Sequence, residues 1–296
     1  MRALGELLPP AALARLANLN LVARWIVEGF LSGLHASPYH GFSVEFAEYR
    51  TYTPGDDLRH LDWRAYAKSD RAYIRLYHSE TNLRAHLLLD CSASMDFGEP
   101  VSKFRYGAAI AAALAYLMIQ QQDAVGLALF AEETVRYLPP RATLRHFRDL
   151  VAQLETARPR ARTRLGKTLH HLAETVRKRG LFVLLSDLHD EPAEVLSGLR
   201  HLRFRKHEVI LFHLLDHAEL AFPYRVLSDF RDLETGERIQ VAPAAWRPAY
   251  LEAIRDFTAS LRRECSSMLI DYTLVDTETP FDQVLARYLF KRQRLG

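Results

Sequence analysis

The chain has 296 residues, 49% of them hydrophobic and 25% charged, the balance of a globular protein with room for a sizeable core. Its formal net charge is only +3, so overall charge gives no reason to expect a nucleic-acid partner. Two cysteines, Cys91 and Cys265, exclude a disulfide framework and suit a reducing compartment as small apolar fillers.

The N-terminal "MRALGELLPPAALARL" lacks the layout of a signal peptide, because Glu6 and a double proline interrupt its apolar stretch. Residues 1–83 read as an extension: one or two helices, then short polar-aromatic strands around "SVEFAEYRTYTPGDDLRHLDW". Residue 84 opens a regular alternation. "HLLLD" is a continuous apolar run, as expected of a strand covered on both faces. An alanine-rich helix follows from about Lys103 to Gln122. Its apolar stretch 107–119 is too short to span a bilayer and is flanked by Lys103, Arg105 and Asp123, so it is read as a core helix. "AVGLALF" (124–130) predicts a second buried strand, and "TVRYLPP" (134–140) an edge strand stopped by proline. Helices are predicted over 143–155 and 165–179, then a strand "GLFVLLSD" (180–187) that again runs into a serine and an aspartate. Beyond it come a helix near 192–202, a buried strand at 207–215 and a hairpin turning at Thr235-Gly236. A long helix (246–264), a strand (268–277) and a final helix complete the chain.

This alternation predicts an α/β fold: a doubly wound, mostly parallel, Rossmann-like sheet with helices on both faces. The expected division is 1–83 as the extension and 84–296 as the α/β domain, with a hairpin insertion at about 219–245. The absence of a long apolar span and of a signal peptide points to a cytoplasmic protein.

In doubly wound sheets, ligands bind beyond the carboxyl ends of the strands, where strand order reverses. Asp90, Ser92 and Ser94 follow one strand and Asp187 follows another. If the Asp-x-Ser-x-Ser segment were extended, alternate side chains would converge. Oxygen ligands of low formal charge suit a hard cation, Mg²⁺ or Mn²⁺, rather than zinc. Thr163, in a loop just before a helix, is the candidate third hydroxyl. The competing structural reading makes Asp90 and the serines caps of a helix or a turn. Three other chemistries fit less well. An aspartyl-phosphate phosphatase would want a second carboxylate at position 92, a nucleophile elbow would want glycine around Ser92, and a P-loop would want a glycine-rich cradle.

"LLLDCSASM", "RTRLGKTL" and "LLSDLHD" together resemble the metal-ion-dependent adhesion site of von Willebrand factor A domains. Upstream, "GFSVEFAEYRTYTPGDDLRHLDWRAYAK" is similar to the signature of the bacterial family called domain of unknown function 58. The resemblance covers roughly residues 40–290. It implies a non-enzymatic binding module with a Mg²⁺ or Mn²⁺ site formed by Asp90, Ser92, Ser94, Thr163 and Asp187. By analogy Ser92, Ser94 and Thr163 bind directly and the carboxylates mostly through water. A partner protein would offer a carboxylate to the metal, and the resemblance implies a MoxR-class AAA+ ATPase as associate, in assembly or maturation of other proteins. Two positions depart from the pattern: Arg164 follows Thr163 where relatives often have aspartate, and Lys68 replaces an arginine, losing its bidentate fork.

"GDDLRHLDW" concentrates Asp57, Arg59, Asp62 and Trp63, as either a partner surface or an Arg–carboxylate network. Arg162 and Arg164 flank Thr163, as a solvated basic loop or as a means of drawing in an acidic ligand. The loop lacks the interleaved aromatics that single-stranded nucleic acid would want. A Mg²⁺-dependent phosphohydrolase using Asp90, and a metal-free scaffold, remain the alternatives.

Overall fold

The apolar runs of the sequence form the middle of a six-stranded sheet. The computed structural model of the chain describes residues 49–51, 73–75, 83–281 and 283–285. The strands are β1 (Tyr49–Thr51), β2 (Tyr73–Arg75), β3 (Arg84–Asp90), β4 (Ala124–Phe130), β5 (Thr134–Arg141), β6 (Leu181–Ser186), β7 (Glu208–Leu215), β8 (Ser228–Arg231), β9 (Arg238–Val241) and β10 (Asp271–Asp276). The helices are α1 (Lys103–Gln120), α2 (Leu144–Thr156), α3 (Leu165–Thr175), α4 (Pro192–Phe204), the short α5 (His217–Ala221) and α6 (Pro243–Ser267). By contacts the chain divides into two units, residues 34–82 and the remainder. Within the first unit β1 pairs antiparallel with β2.

The large sheet has the order β10-β7-β6-β3-β4-β5. All neighbours are parallel except β4 and β5, which are antiparallel. The protein is therefore a mixed α/β structure with a mostly parallel central sheet. From β3 the chain moves outward through β4 to β5, then returns to the other side of β3 for β6. Strand order thus reverses at β3 and β6, whose carboxyl ends lie side by side.

Both faces of the sheet are covered, which is why β3 and β6 carry no polar alternation. On one face Leu87, Leu89, Val183 and Leu185 pack with α1 and α2; on the other Leu88, Leu184 and Phe182 pack with α3 and α4. Burying each such side chain contributes about 1.5–3 kcal/mol relative to exposing it, so β3 and β6 give the polar residues at their carboxyl ends a firm base. Gly107 lets α1 approach closely, since a Cβ there would lie 2.8 Å from Leu89 Cδ1 and 2.9 Å from Leu214 Cδ1.

Three local features differ from the sequence reading. β5 runs through Pro139 and Pro140 to Arg141 instead of stopping; as the outermost strand, with an irregular register against β4, it can spare their missing N–H groups. α3 ends at Thr175, short of the predicted 179. α5 was not foreseen, although its capping box, with Asp216 and Glu219 bonding reciprocally, has a plain Asp-x-x-Glu signature. The helices expected near the N-terminus, and most of the expected final helix, lie outside the described residues.

Candidate functional site

Asp90 ends β3 and is fully buried. Its Oδ1 accepts the Ser92 N–H at 2.8 Å, and its Oδ2 accepts the Ser186 hydroxyl at 2.6 Å. Ser186 in turn accepts the Leu188 N–H at 2.9 Å, so the ends of β3 and β6 are tied together through one hydroxyl. Turn formation is therefore part of what Asp90 does.

The capping reading does not extend to the serines. Ser92 occupies the N-cap position of a 3₁₀ turn, Ala93–Asp96, yet its hydroxyl caps nothing. It lies 3.0 Å from Ser94 Oγ. The segment is not the expected extended run: Ser92 is extended and Ser94 belongs to the 3₁₀ turn. The tight turn still brings the two hydroxyls together.

The Thr163 loop is laced to the segments that follow β3 and β4. Arg160 N–H donates to Cys91 O at 2.8 Å, Ala93 N–H to Ala161 O at 2.9 Å, and Arg164 N–H to Ala131 O at 3.2 Å. Ala161 takes a left-handed φ of 64° to make this possible. Thr163 is 7% exposed, and its Oγ1 is buried without a hydrogen-bond partner. A buried, unmade hydroxyl bond costs about 1–3 kcal/mol, so a water or an ion bound at this atom would stabilise the loop.

Asp187 follows β6. Its Oδ2 accepts the Lys103 ammonium at 2.8 Å, its Oδ1 the His189 N–H at 3.3 Å. Lys103 is 1% exposed and also donates to Glu219 Oε1 at 2.8 Å. His213, fully buried, holds the Asp187 backbone: Nε2 lies 3.1 Å from Asp187 O and Nδ1 2.9 Å from Tyr272 Oη. Burial pushes the His213 pKa down to about 4, so the ring is neutral. Nε2 must then donate to the carbonyl, and Nδ1 accept from the tyrosine.

The two carboxyl groups are pushed in opposite directions. Burial, and then the neighbouring Asp187, push Asp90 up to about 7, against the lowering effect of its hydrogen bonds from Ser186 and Ser92. Burial alone would raise Asp187 too, but the Lys103 ammonium outweighs it and, with the Ser94 hydroxyl, holds it below the usual carboxylate range. A further oxygen group lies close by. Glu234, in the turn between β8 and β9, accepts the Thr163 N–H on Oε2 at 3.3 Å, while its Oε1 is buried without a partner.

Asp90, Ser92, Ser94, Thr163 and Asp187 are therefore brought together at the carboxyl ends of β3 and β6. Their donors are hydroxyl and carboxylate oxygens, which suit a hard cation, and the unpartnered Thr163 Oγ1 is where such an ion would find a ligand. Among the described residues no group of three or more His, Cys, Asp or Glu is gathered as a metal cluster. Arg162 and Arg164 sit on the exposed flank of Thr163, and Arg164 pairs with Glu132 at 3.0 Å. Asp57, Arg59, Asp62, Trp63 and Lys68 lie outside the described residues.

The sequence reading missed Lys103, Ser186, Glu219 and Glu234. Lys103 did carry a signal: a lysine in the first turn of a helix stands against the helix dipole and needs a compensating anion. Glu234 carried none, because nothing local says that a hairpin turn will reach Thr163, 71 residues away.

The profile of the family described as protein of unknown function DUF58 matches residues 48–260. The chain belongs to this family. A DUF58 relative in sequence is the uncharacterized protein Rv1480 of Mycobacterium tuberculosis, 29% identical over 223 residues, covering 74% of this chain and 70% of that protein. An uncharacterized protein of Mycobacterium bovis matches equally well. Among solved structures, the conserved hypothetical protein BatB of Bacteroides thetaiotaomicron is 15% identical with a TM-score of 0.49, over 72% of this chain and 99% of that one. An aerotolerance-related membrane protein of Bacteroides fragilis is 17% identical with a TM-score of 0.48, over 71% and 99%. Among the described residues of this DUF58 chain, no helix is long and apolar enough to cross a membrane.

Proposed function

We propose that this DUF58 chain is a non-enzymatic, von Willebrand factor A-like binding module. It holds Mg²⁺ (or Mn²⁺) through a metal-ion-dependent adhesion site made of Asp90, Ser92, Ser94, Thr163 and Asp187. The ion supplies a positive point to which a carboxylate of a partner protein can bind. The observation that carries the reading is the buried, unpartnered Thr163 Oγ1, in a loop bonded to the turn that holds the Ser92–Ser94 hydroxyl pair. Asp90, with each oxygen already accepting a hydrogen bond, is the group that orders this floor and balances its charge. Arg162 and Arg164 at the rim would favour an acidic partner surface. The resemblance that suggested the site also suggests a MoxR-class AAA+ ATPase as associate, in the cytoplasm, acting on the assembly or maturation of other proteins.

The full burial of Asp90 weighs against the phosphohydrolase alternative, in which that carboxylate would have to meet a substrate phosphorus. The metal-free scaffold has one observation in its favour: the Lys103 ammonium already supplies a positive charge to Asp187. The two readings separate in one experiment. Wild type and Ser92→Ala are compared for thermal stabilisation by Mg²⁺ and for capture of a MoxR-class AAA+ ATPase with and without the ion. The module predicts an ion-dependent rise in Tm and ion-dependent capture, both lost in Ser92→Ala. Capture unaffected by excess chelator would leave the scaffold.

A further inference from the structure

We propose that Glu234 is a ligand carried by the chain itself: the β8–β9 hairpin delivers its carboxylate to the candidate cation site, which a partner carboxylate must then displace. The inference rests on the cation-site reading above and adds a residue and a closed state to it.

Two buried oxygens without partners belong to residues in direct contact. Thr163 Oγ1 is one, and Glu234 Oε1 is another. They are neighbours, because the other oxygen of the same carboxylate, Oε2, accepts the Thr163 backbone N–H at 3.3 Å. An isolated unmade bond at a buried carboxylate oxygen is costly, more so than at a neutral group. A cation between the two oxygens would satisfy both at once. Ser94, one of the proposed ligands, is near enough to the Glu234 carboxyl to favour its ionised form.

The hairpin is built to present this residue. Asp232 Oδ1 accepts the N–H groups of Glu234 at 2.7 Å and Thr235 at 3.0 Å, and Asp232 N–H bonds Glu237 O at 2.9 Å. Gly236 takes a φ of 77°, a value that closes such a turn without the strain a side chain would add. On β8, Phe230 stacks on Phe222 at 5.8 Å and meets Tyr224 edge-on at 5.0 Å. Leu233 near the tip is 44% exposed, and Ile239 on β9 is 60% exposed. The hairpin is thus anchored through β8 and lightly held elsewhere. Beneath it a cleft of about 640 Å³ opens between the hairpin residues Phe230 and Ile239 and the site residues Ser94, Lys103 and Asp187. A carboxylate tethered at Thr163 competes with any external one that enters along this cleft, and a partner that lifts the tip gains the ion.

The test uses the full chain and Mg²⁺ alone as the probe. Wild type and Glu234→Gln are titrated with Mg²⁺ in a calorimeter, and amide exchange over residues 232–237 is followed with and without the ion. Glu234→Gln is expected to weaken Mg²⁺ binding about tenfold or more, and Mg²⁺ is expected to slow hairpin exchange in wild type but not in the variant. If wild type binds Mg²⁺ and Glu234→Gln binds it equally well with the same hairpin protection, Glu234 is no ligand, while the cation site stands. If wild type takes up no Mg²⁺ and its hairpin exchange is indifferent to the ion, the site and the inference fall together.

Discussion

Replacing Lys103 with methionine probes the electrostatics of the site most sharply. The side chain is almost wholly buried and its ammonium lies 2.8 Å from both Asp187 Oδ2 and Glu219 Oε1. At an effective dielectric of about 20, each contact gives roughly 6 kcal/mol of gross attraction. Most of that is offset by the desolvation of three charges, but methionine keeps the volume and leaves two carboxylates without their cation. Breaking a buried pair from one side costs about 3–5 kcal/mol. For an α/β domain of this size that corresponds to a fall in Tm of about 6–20 °C. The assay is urea and thermal denaturation in excess chelator, at pH 8 and again at pH 5. The loss is expected to be smaller at pH 5. Without the ammonium, burial raises the Asp187 and Glu219 carboxyls, so acid can neutralise them in the variant, whereas in wild type Lys103 keeps Asp187 ionised. A variant within about 1 kcal/mol of wild type at both pH values would refute the reasoning, since it would mean that the pair is solvated.

Ser186→Ala removes the hydroxyl that donates to Asp90 at 2.6 Å and accepts from Leu188 at 2.9 Å; a loss of about 1–3 kcal/mol in urea denaturation is expected, and an unchanged midpoint would contradict it. Asp90→Asn turns one of the two accepting oxygens into a donor as well as lowering the site's charge, so a loss of about 1–3 kcal/mol in chelator and the disappearance of any rise in Tm on adding Mg²⁺ are expected together. His86 is held down to about 4, by burial first and then by His207 and Arg84. The folded state refuses a proton that the unfolded state accepts near 6.5, so this contribution is present above about pH 6.5 and is lost as pH falls towards 4. The difference amounts to about 3 kcal/mol at most. His86→Phe, which can keep the stack on Phe182, should flatten the fall in stability between pH 6.5 and 4.5 relative to wild type; an unchanged pH slope would show that His86 is not responsible.

The architecture was legible where burial is two-sided. "HLLLD", "AVGLALF" and "GLFVLL" could be placed as central strands because a strand covered on both faces has no polar alternation to confuse it. The site's floor was legible for the same reason: Asp90 and Asp187 stand where apolar runs end, and strand reversal puts such ends together. What escaped the sequence was set by long-range placement. Lys103 pairs across 84 residues with Asp187 and across 116 with Glu219, and Glu234 meets Thr163 from a hairpin inserted between β7 and α6. The geometry of Ser92 and Ser94 was misjudged locally, because a 3₁₀ turn and an extended run both bring alternate hydroxyls near one another.

In the proposed cation site, the buried Thr163 Oγ1 that lacks a partner within the polypeptide is a ligand of the ion. Calorimetric titration of Mg²⁺ into wild type and Thr163→Val, paired with urea denaturation of both in chelator, tests this most directly. Valine removes only the hydroxyl, so the metal-free variant should be as stable as wild type or more stable, while Mg²⁺ binding is lost. A variant that is destabilised in chelator but still binds Mg²⁺ with wild-type affinity would contradict the account, for it would make the hydroxyl a structural group and place the ion, if any, elsewhere.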